Sequence, residues 1–304
     1  MGGVLSDPNT EKNSSDGSNN RLISGACAIQ GWRDEMEDAY ISYPDFDQNV
    51  SLFGVFDGHS GASVALYCKR YFAAELKKNK NYQTENYEEA LKETFLRMDE
   101  ILGTGEGQEE LKTLEDEHHM NHGLTTGTTA NVCLVVGMRV YCANVGNSRS
   151  FVWSQGQVVE LSRNQSLRES AERARVENAG GFVSDQRINN MLNVSRAIGH
   201  LSYNANPELQ PYEQLVSVEP DITIRDIGSE DLFMVMGSAG FFQTLKADEI
   251  CGILERNFEE DPDVKLSRSL EMLFDMSLGE KTAGGGVGNI GCENMTGIVV
   301  RFKK

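Results

Sequence analysis

Residues 52–61 read Leu52-Phe53-Gly54-Val55-Phe56-Asp57-Gly58-His59-Ser60-Gly61. An apolar strand, Ser51–Phe56, runs directly into Asp-Gly-His and then into a helix that opens at a glycine. That helix is expected over Ala62–Lys77, where Val64, Cys68, Tyr71, Phe72 and Leu76 fall on one face. A carboxylate at the end of a strand is well placed to hold a hard cation. Gly58 lets the backbone come close, so its carbonyl could ligate as well. The plainer reading is a strand, a turn and a helix with Asp57 as a cap.

Outward from this stretch, further strands are expected at Thr128–Val136, Arg139–Val145, Ser150–Trp153, Leu232–Met236 and Thr296–Phe302. Each is short, β-branched or aromatic, and bounded by Gly, Asn or Ser. Helices fit Tyr87–Leu102, Ala247–Arg256 and Val264–Leu278. Strands joined by short turns imply antiparallel sheets, and the long helices must flank them. The class is α/β layered (α+β), not a doubly wound parallel sheet. Residues 1–20 are polar and rich in Asn, Ser and Gly, which predicts a flexible tail before one domain over residues 21–304. The Gly- and Glu-rich stretch 103–123 is expected as a surface loop, and a second polar stretch, 162–190, interrupts the middle of the domain.

The net charge of −18 and the lack of any basic cluster argue against nucleic acid as a partner. The acidity suits metal ions or basic peptides, and equally a solubilising surface. Cys27, Cys68, Cys133, Cys142, Cys251 and Cys292 form no C-x-x-C pair and sit largely in apolar runs. They read as reduced, buried thiols of an intracellular, cytoplasmic protein. No apolar run is long enough for a transmembrane segment. Met1-Gly2-Gly3-Val4-Leu5-Ser6 fits the N-myristoylation pattern with Gly2 as acceptor. One acyl chain would give only weak membrane contact. The histidines at 118, 119 and 122 have zinc-like spacing without an accompanying ligand set. The glycines at 284–288 lack the Lys-Ser/Thr of a phosphate loop.

Upstream, Arg33-Asp34-Glu35-Met36-Glu37-Asp38 sets four acids in five residues beside an arginine. Such runs are commonly solvated faces. On a strand, though, Glu37 and Asp38 would face opposite sides, so one could enter a site while the other supports it. Together with 52–61, this motif resembles the type 2C, or PPM, family of metal-dependent Ser/Thr protein phosphatases. The resemblance continues in order through Gly127-Thr-Thr-Ala130, Ala143-Asn-Val-Gly-Asn-Ser-Arg149, Ala179-Gly-Gly181, Val194-Ser-Arg-Ala-Ile-Gly199, Ser238-Ala-Gly240 and Glu293-Asn-Met-Thr296. It implies two packed antiparallel sheets with helices outside and a site in a channel at one end. It also implies two Mg²⁺ or Mn²⁺ ions activating a bridging water. By resemblance, Arg33 grips the phosphate, Glu37 and Asp38 serve one metal, and Asp57 bridges both. The Gly58 carbonyl completes one of them, Glu293 holds the other, and His59 protonates the leaving oxygen.

The departures from the family pattern bear on function. Ala239 stands where the family has a metal-binding Asp. Glu293 stands where it has Asp, one methylene shorter, and Mg²⁺ tolerates little distortion. His200 replaces an Asp, Asn147 replaces another, and Leu124 stands at the acid that often precedes Gly127. Phe242-Gln243 replaces Trp-Asp, which removes the auxiliary metal position at Gln243. Glu37, Asp57 and Glu293 supply three negative charges against the four positive charges of two divalent ions. This favours a pseudophosphatase: the fold kept as a binding or scaffold module for a phosphoprotein or other protein partner, alone or within a larger assembly, with one weakened metal site or none. The alternative is a weak but active Mn²⁺/Mg²⁺-dependent Ser/Thr phosphatase that uses Glu293 as a substitute ligand. Its support is the intact Arg33, Glu37-Asp38 and Asp57-Gly58-His59 set. A third reading is a domain that binds phosphopeptides through Arg33 without cleaving them.

Overall fold

The structure is a computed structural model that describes residues 3–117, 125–204, 206–280 and 290–303. The segments expected from the sequence appear with small shifts. β4 (Val50–His59), β6 (Ala130–Val136), β7 (Arg139–Val145), β8 (Arg149–Ser154), β14 (Asp231–Gly237) and β15 (Met295–Phe302) are the six expected strands. The expected helices are α1 (Ser63–Lys78), α3 (Tyr87–Leu102), α6 (Ala247–Glu260) and α7 (Leu266–Ser277).

The further strands are β1 (Val4–Ser18), β2 (Leu22–Arg33), β3 (Asp38–Asp47), β5 (Gly127–Thr128), β9 (Gln157–Glu160), β10 (Val183–Ser184), β11 (Arg187–Ile188), β12 (Ile198–Gly199) and β13 (Asp221–Asp226). Three helices join them: α2 (Lys80–Gln83), α4 (Gly105–Glu117) and α5 (Ser170–Asn178).

One sheet runs β1-β2-β15-β14-β8-β9. The other runs β12-β5-β4-β6-β7-β13, with β3 also on β4. All of these pairings are antiparallel. Side chains alternate between faces along each strand. Met234, Met236, Ile298 and Val300 meet Phe53, Val55, Val135 and Val140 between the sheets. Phe233, Val235 and Val299 point outward onto α6 and α7. Leu52 and Phe56 point the other way, onto α1 and α3. The result is helices, two sheets and helices in layers. Burying one large side chain such as Phe53 contributes about 2–3 kcal/mol.

Two sequence expectations need correction. Residues 4–18 are a strand, not a flexible tail. Their backbone adds to the open edge of β2 in register from Val4 opposite Arg33 to Ser18 opposite Ile23. The polar side chains are held by α7: Ser267 donates to Asp16 (Oγ–Oδ2 2.6 Å), Ser14 to Glu271 (2.8 Å), and Lys12 pairs with Asp275. Much of the expected 103–123 loop is helix α4, whose Leu111 and Leu114 are buried in the core on α1 and α3. The polar stretch 162–190 carries α5 and the β10–β11 hairpin around a small core of Val176, Ile188 and Val216. No helix among the described residues is long and apolar enough to cross a membrane. All six cysteines are free thiols, and Cys292 alone is not fully buried. Gly2, Leu124, the histidines at 118, 119 and 122 and the glycines at 284–288 lie outside the described residues.

Candidate active site

The ends of β2, β4 and β14 and the starts of β3 and β15 converge at one end of the sandwich. They enclose a cleft of about 140 Å³ lined by Arg33, Glu37, Asp38, Asp57, Gly58, His59, Ala239 and Glu293, with Asn147 and Asn193 at its side. Nine of the residues singled out from the sequence, Asn147 included, therefore meet in one place. A larger groove of about 640 Å³ between α3 and the 204–218 segment lies apart from them.

Local register explains the meeting. Asp38 opens β3 and stands directly opposite Asp57 on β4. Like charges opposite one another on adjacent strands repel. Asp38 is 7 % exposed, and its Oδ2 has no hydrogen-bond partner. Burial pushes its pKa up to about 7, helped by the charges of Glu293 and Glu37, while the Ser238 and Thr296 hydroxyls counter the rise in part. Burial likewise raises Asp57 well above the carboxylate range, and the charge on Asp38 adds to it. Both carboxyls thus lack positive charge.

Glu37 sits just before β3, and its Oε1 accepts from the N–H of Gly61 at the entry to α1 (2.5 Å). Gly58 is required there, because a Cβ would come within 2.3 Å of the Glu37 carbonyl oxygen. Asn294 fixes the segment before β3: its Nδ2 donates to the carbonyls of Gln30 (2.7 Å) and Glu35 (3.0 Å), and its Oδ1 accepts from Glu37 N–H (2.9 Å). Ala239 begins a short 3₁₀ turn after β14 and brings no side-chain donor atom. Its backbone N–H donates to Asp57 Oδ2 (3.0 Å). Glu293 Oε1 lies 3.4 Å from an Nη of Arg33.

His59 closes β4, with Nδ1 3.3 Å from the Asp57 carbonyl and Nε2 buried without a partner. Burial lowers its pKa to about 4, so the imidazole is neutral near pH 7. His200 does not line the cleft. Its ring stacks on His59, centroids 4.5 Å apart, in the space left by Gly127, where a Cβ would strike it at 2.3 Å. His200 is 1 % exposed, and burial holds its pKa well below the usual value. Gln243 also lies outside the cleft, its Oε1 accepting from Gly291 N–H (3.1 Å).

The donor set fits a divalent cation in part. The unpartnered Asp38 Oδ2 and the crowded Asp38–Asp57 pair call for positive charge, and Glu37 is beside them. Position 239 brings no side-chain ligand atom, and its backbone N–H is already donated to Asp57 Oδ2. Among the described residues no three His, Cys, Asp or Glu side chains are already drawn together as a metal cage. Sequence reasoning missed the bracing role of Asn294 and the place of Asn193. No spacing signals either, since a side-chain amide next to a motif carries no period.

Comparison with known proteins agrees with this geometry. Residues 23–276 match the model of the family described as protein phosphatase 2C. The chain is 41 % identical over 303 residues to "Probable protein phosphatase 2C 5" of Paramecium tetraurelia, covering 100 % of each. It is 33 % identical over 337 residues to "Probable protein phosphatase 2C 21" of Arabidopsis thaliana, covering 100 % of this chain and 93 % of the relative. A crystal structure of a phosphatase from Toxoplasma gondii superposes with a TM-score of 0.75 at 20 % identity, over 96 % of each chain. With its sandwich, its ordered motifs and its paired aspartates, the chain belongs to the protein phosphatase 2C family.

Proposed function

We propose that this family member keeps a phosphate-recognising cleft but is impaired as a phosphatase, and serves to bind a phosphorylated protein. The observation that carries the reading is at Ala239, which lines the cleft beside Asp57 with a methyl group where the resemblance puts a carboxylate. Members of the family generally depend on Mg²⁺ or Mn²⁺. Glu37, Asp38 and Asp57 would hold one such ion, which when bound supplies Lewis-acid polarisation and water activation. A second ion would rely on Glu293, which here faces Arg33. Loss of that ion removes several kcal/mol of barrier lowering, roughly 10³-fold in rate.

The chain's own groups have separable tasks in this reading. Arg33 receives the phosphoryl oxygens through its planar fork. Asp57, held by Ala239 N–H, faces the reacting end of the cleft. His59 touches the site as a neutral ring near pH 7, able to donate a hydrogen bond but a poor general acid. A second reading, a weak but active Ser/Thr phosphatase, has its own support: Arg33, Glu37, Asp38, Asp57 and His59 all line the one cleft.

Calorimetric titration of Mn²⁺ and Mg²⁺ into the full chain separates the two. The proposal expects at most one site, lost in Asp57→Ala. Two sites of comparable affinity in the unsubstituted protein would contradict it and favour the second reading.

A further inference from the structure

The contact between Glu293 and Arg33 joins the group that would receive phosphate to an acid one methylene longer than the family's aspartate. Glu293 Oε1 is 3.4 Å from Arg33 Nη2, with the side chains 40 % and 31 % exposed. Removing one methylene would withdraw the carboxylate by roughly 1.5 Å, beyond ion-pair reach. The backbones that carry the two residues are tied together: Asn294, next to Glu293, bonds the carbonyls of Gln30 and Glu35 on either side of Arg33. The pair is therefore presented at high effective concentration, and little ordering is needed to form it.

A carboxylate and a phosphoryl group offer the guanidinium fork the same kind of acceptor. We propose that Glu293 is a tethered competitor for Arg33, so that an anion enters the cleft only by displacing it; this rests on the reading of Arg33 as the phosphate-receiving group. The consequence is specificity. A free aspartate or glutamate side chain brings one charge and cannot outcompete a tethered copy of itself. A phosphomonoester brings close to two charges and three strong acceptor oxygens, and can. Glu293 thus sets the cleft to accept phosphorylated peptide and refuse merely acidic peptide.

The test uses the full chain in chelator, so that no metal contributes. A phosphothreonine peptide and its glutamate counterpart are titrated calorimetrically into the unsubstituted protein, Glu293→Gln, Glu293→Asp and Arg33→Ala, each checked by thermal melting. The proposal expects weak binding of the phosphopeptide and none of the glutamate peptide to the unsubstituted protein. Both Glu293 variants should tighten the phosphopeptide about three- to ten-fold and make glutamate-peptide binding measurable, Glu293→Asp by losing the partly exposed ion pair and Glu293→Gln by losing the repelling charge as well. Arg33→Ala should abolish both. Unchanged affinities in both Glu293 variants, with binding still lost in Arg33→Ala, would overturn the competitor and leave the phosphate reading standing. Absence of Arg33-dependent binding in every protein would overturn both.

Discussion

At the scale of single residues, the site is built from groups that would be a liability anywhere else. Asp38 and Asp57 oppose each other across a ladder, and one Asp38 oxygen is buried without a partner. Because the folded-state pKa of Asp38 is raised to about 7, the folded protein holds a proton there that the unfolded chain has released. Its contribution to stability is complete below the ordinary carboxylate range and is lost as the pH rises toward 7. Without added metal, Asp38→Asn should therefore stabilise the fold at pH 8, on the order of 1–3 kcal/mol. It should also flatten the fall in stability between about pH 4 and 7. Melting curves across that range check it, and an unchanged pH dependence would count against the strained pair. Asp57 was legible as a cleft residue because it ends an apolar strand, whereas Asp38 was marked only by the acidic run and the family resemblance. The stacking of His200 on His59 was not legible, since it joins residues from distant segments through the absence of a Cβ at Gly127.

At the scale of elements, legibility followed hydrophobic period. α3 and β7 have the bounds expected from sequence because Leu91, Phe95, Met98 and Leu102 mark one helical face and β7 is bounded by turns. β1 has no such signal: its stability comes from ladder bonds and from polar contacts with α7. Removing residues 1–18 should uncover the β2 edge, an unpaired template for other chains. We expect a lower melting temperature and concentration-dependent aggregation by light scattering; a truncated chain as stable and monodisperse as the full one would restore the flexible tail.

The α5 element makes a second case. Glu172 is buried between Arg175 (2.7 Å) and Arg196 (2.6 Å), and Arg196 reaches on to Asp221. Burial acts to raise the Glu172 pKa, but the two guanidinium partners more than offset it and bring it down to about 2. Its contribution is present above the ordinary carboxylate range and is lost as the pH falls toward 2. Glu172→Gln should cost about 3–5 kcal/mol in denaturant unfolding at neutral pH, because Arg175 would be left buried without its anion and Arg196 would keep only Asp221. A cost under about 1 kcal/mol would show that the pairs are effectively solvated.

At the scale of the whole molecule, the fold and the chemistry are separable. The sandwich is held by three large cores, one between the sheets and one beneath each helical layer. None of them uses the side chains at positions 239 or 293. The fold therefore persists with those positions altered, and family membership by itself says nothing about turnover. The sequence carried the architecture because the core strands are strongly patterned. It carried the composition of the cleft because the motifs fall at strand ends. It could not carry the direction in which Glu293 turns or the way Ala239 N–H engages Asp57, which depend on atoms brought together from opposite halves of the chain.

A cleft with this donor set is proposed to recognise phosphate but scarcely to hydrolyse it. The most direct measurement is turnover of a phosphothreonine peptide at saturating Mn²⁺, for the unsubstituted chain, for Asp57→Ala, and for the double variant Ala239→Asp with Glu293→Asp. The unsubstituted chain and Asp57→Ala should be equal within error, and the double variant should exceed both by about 10²-fold or more. Turnover by the unsubstituted chain well above Asp57→Ala would instead make the protein a working phosphatase with Glu293 as a metal ligand.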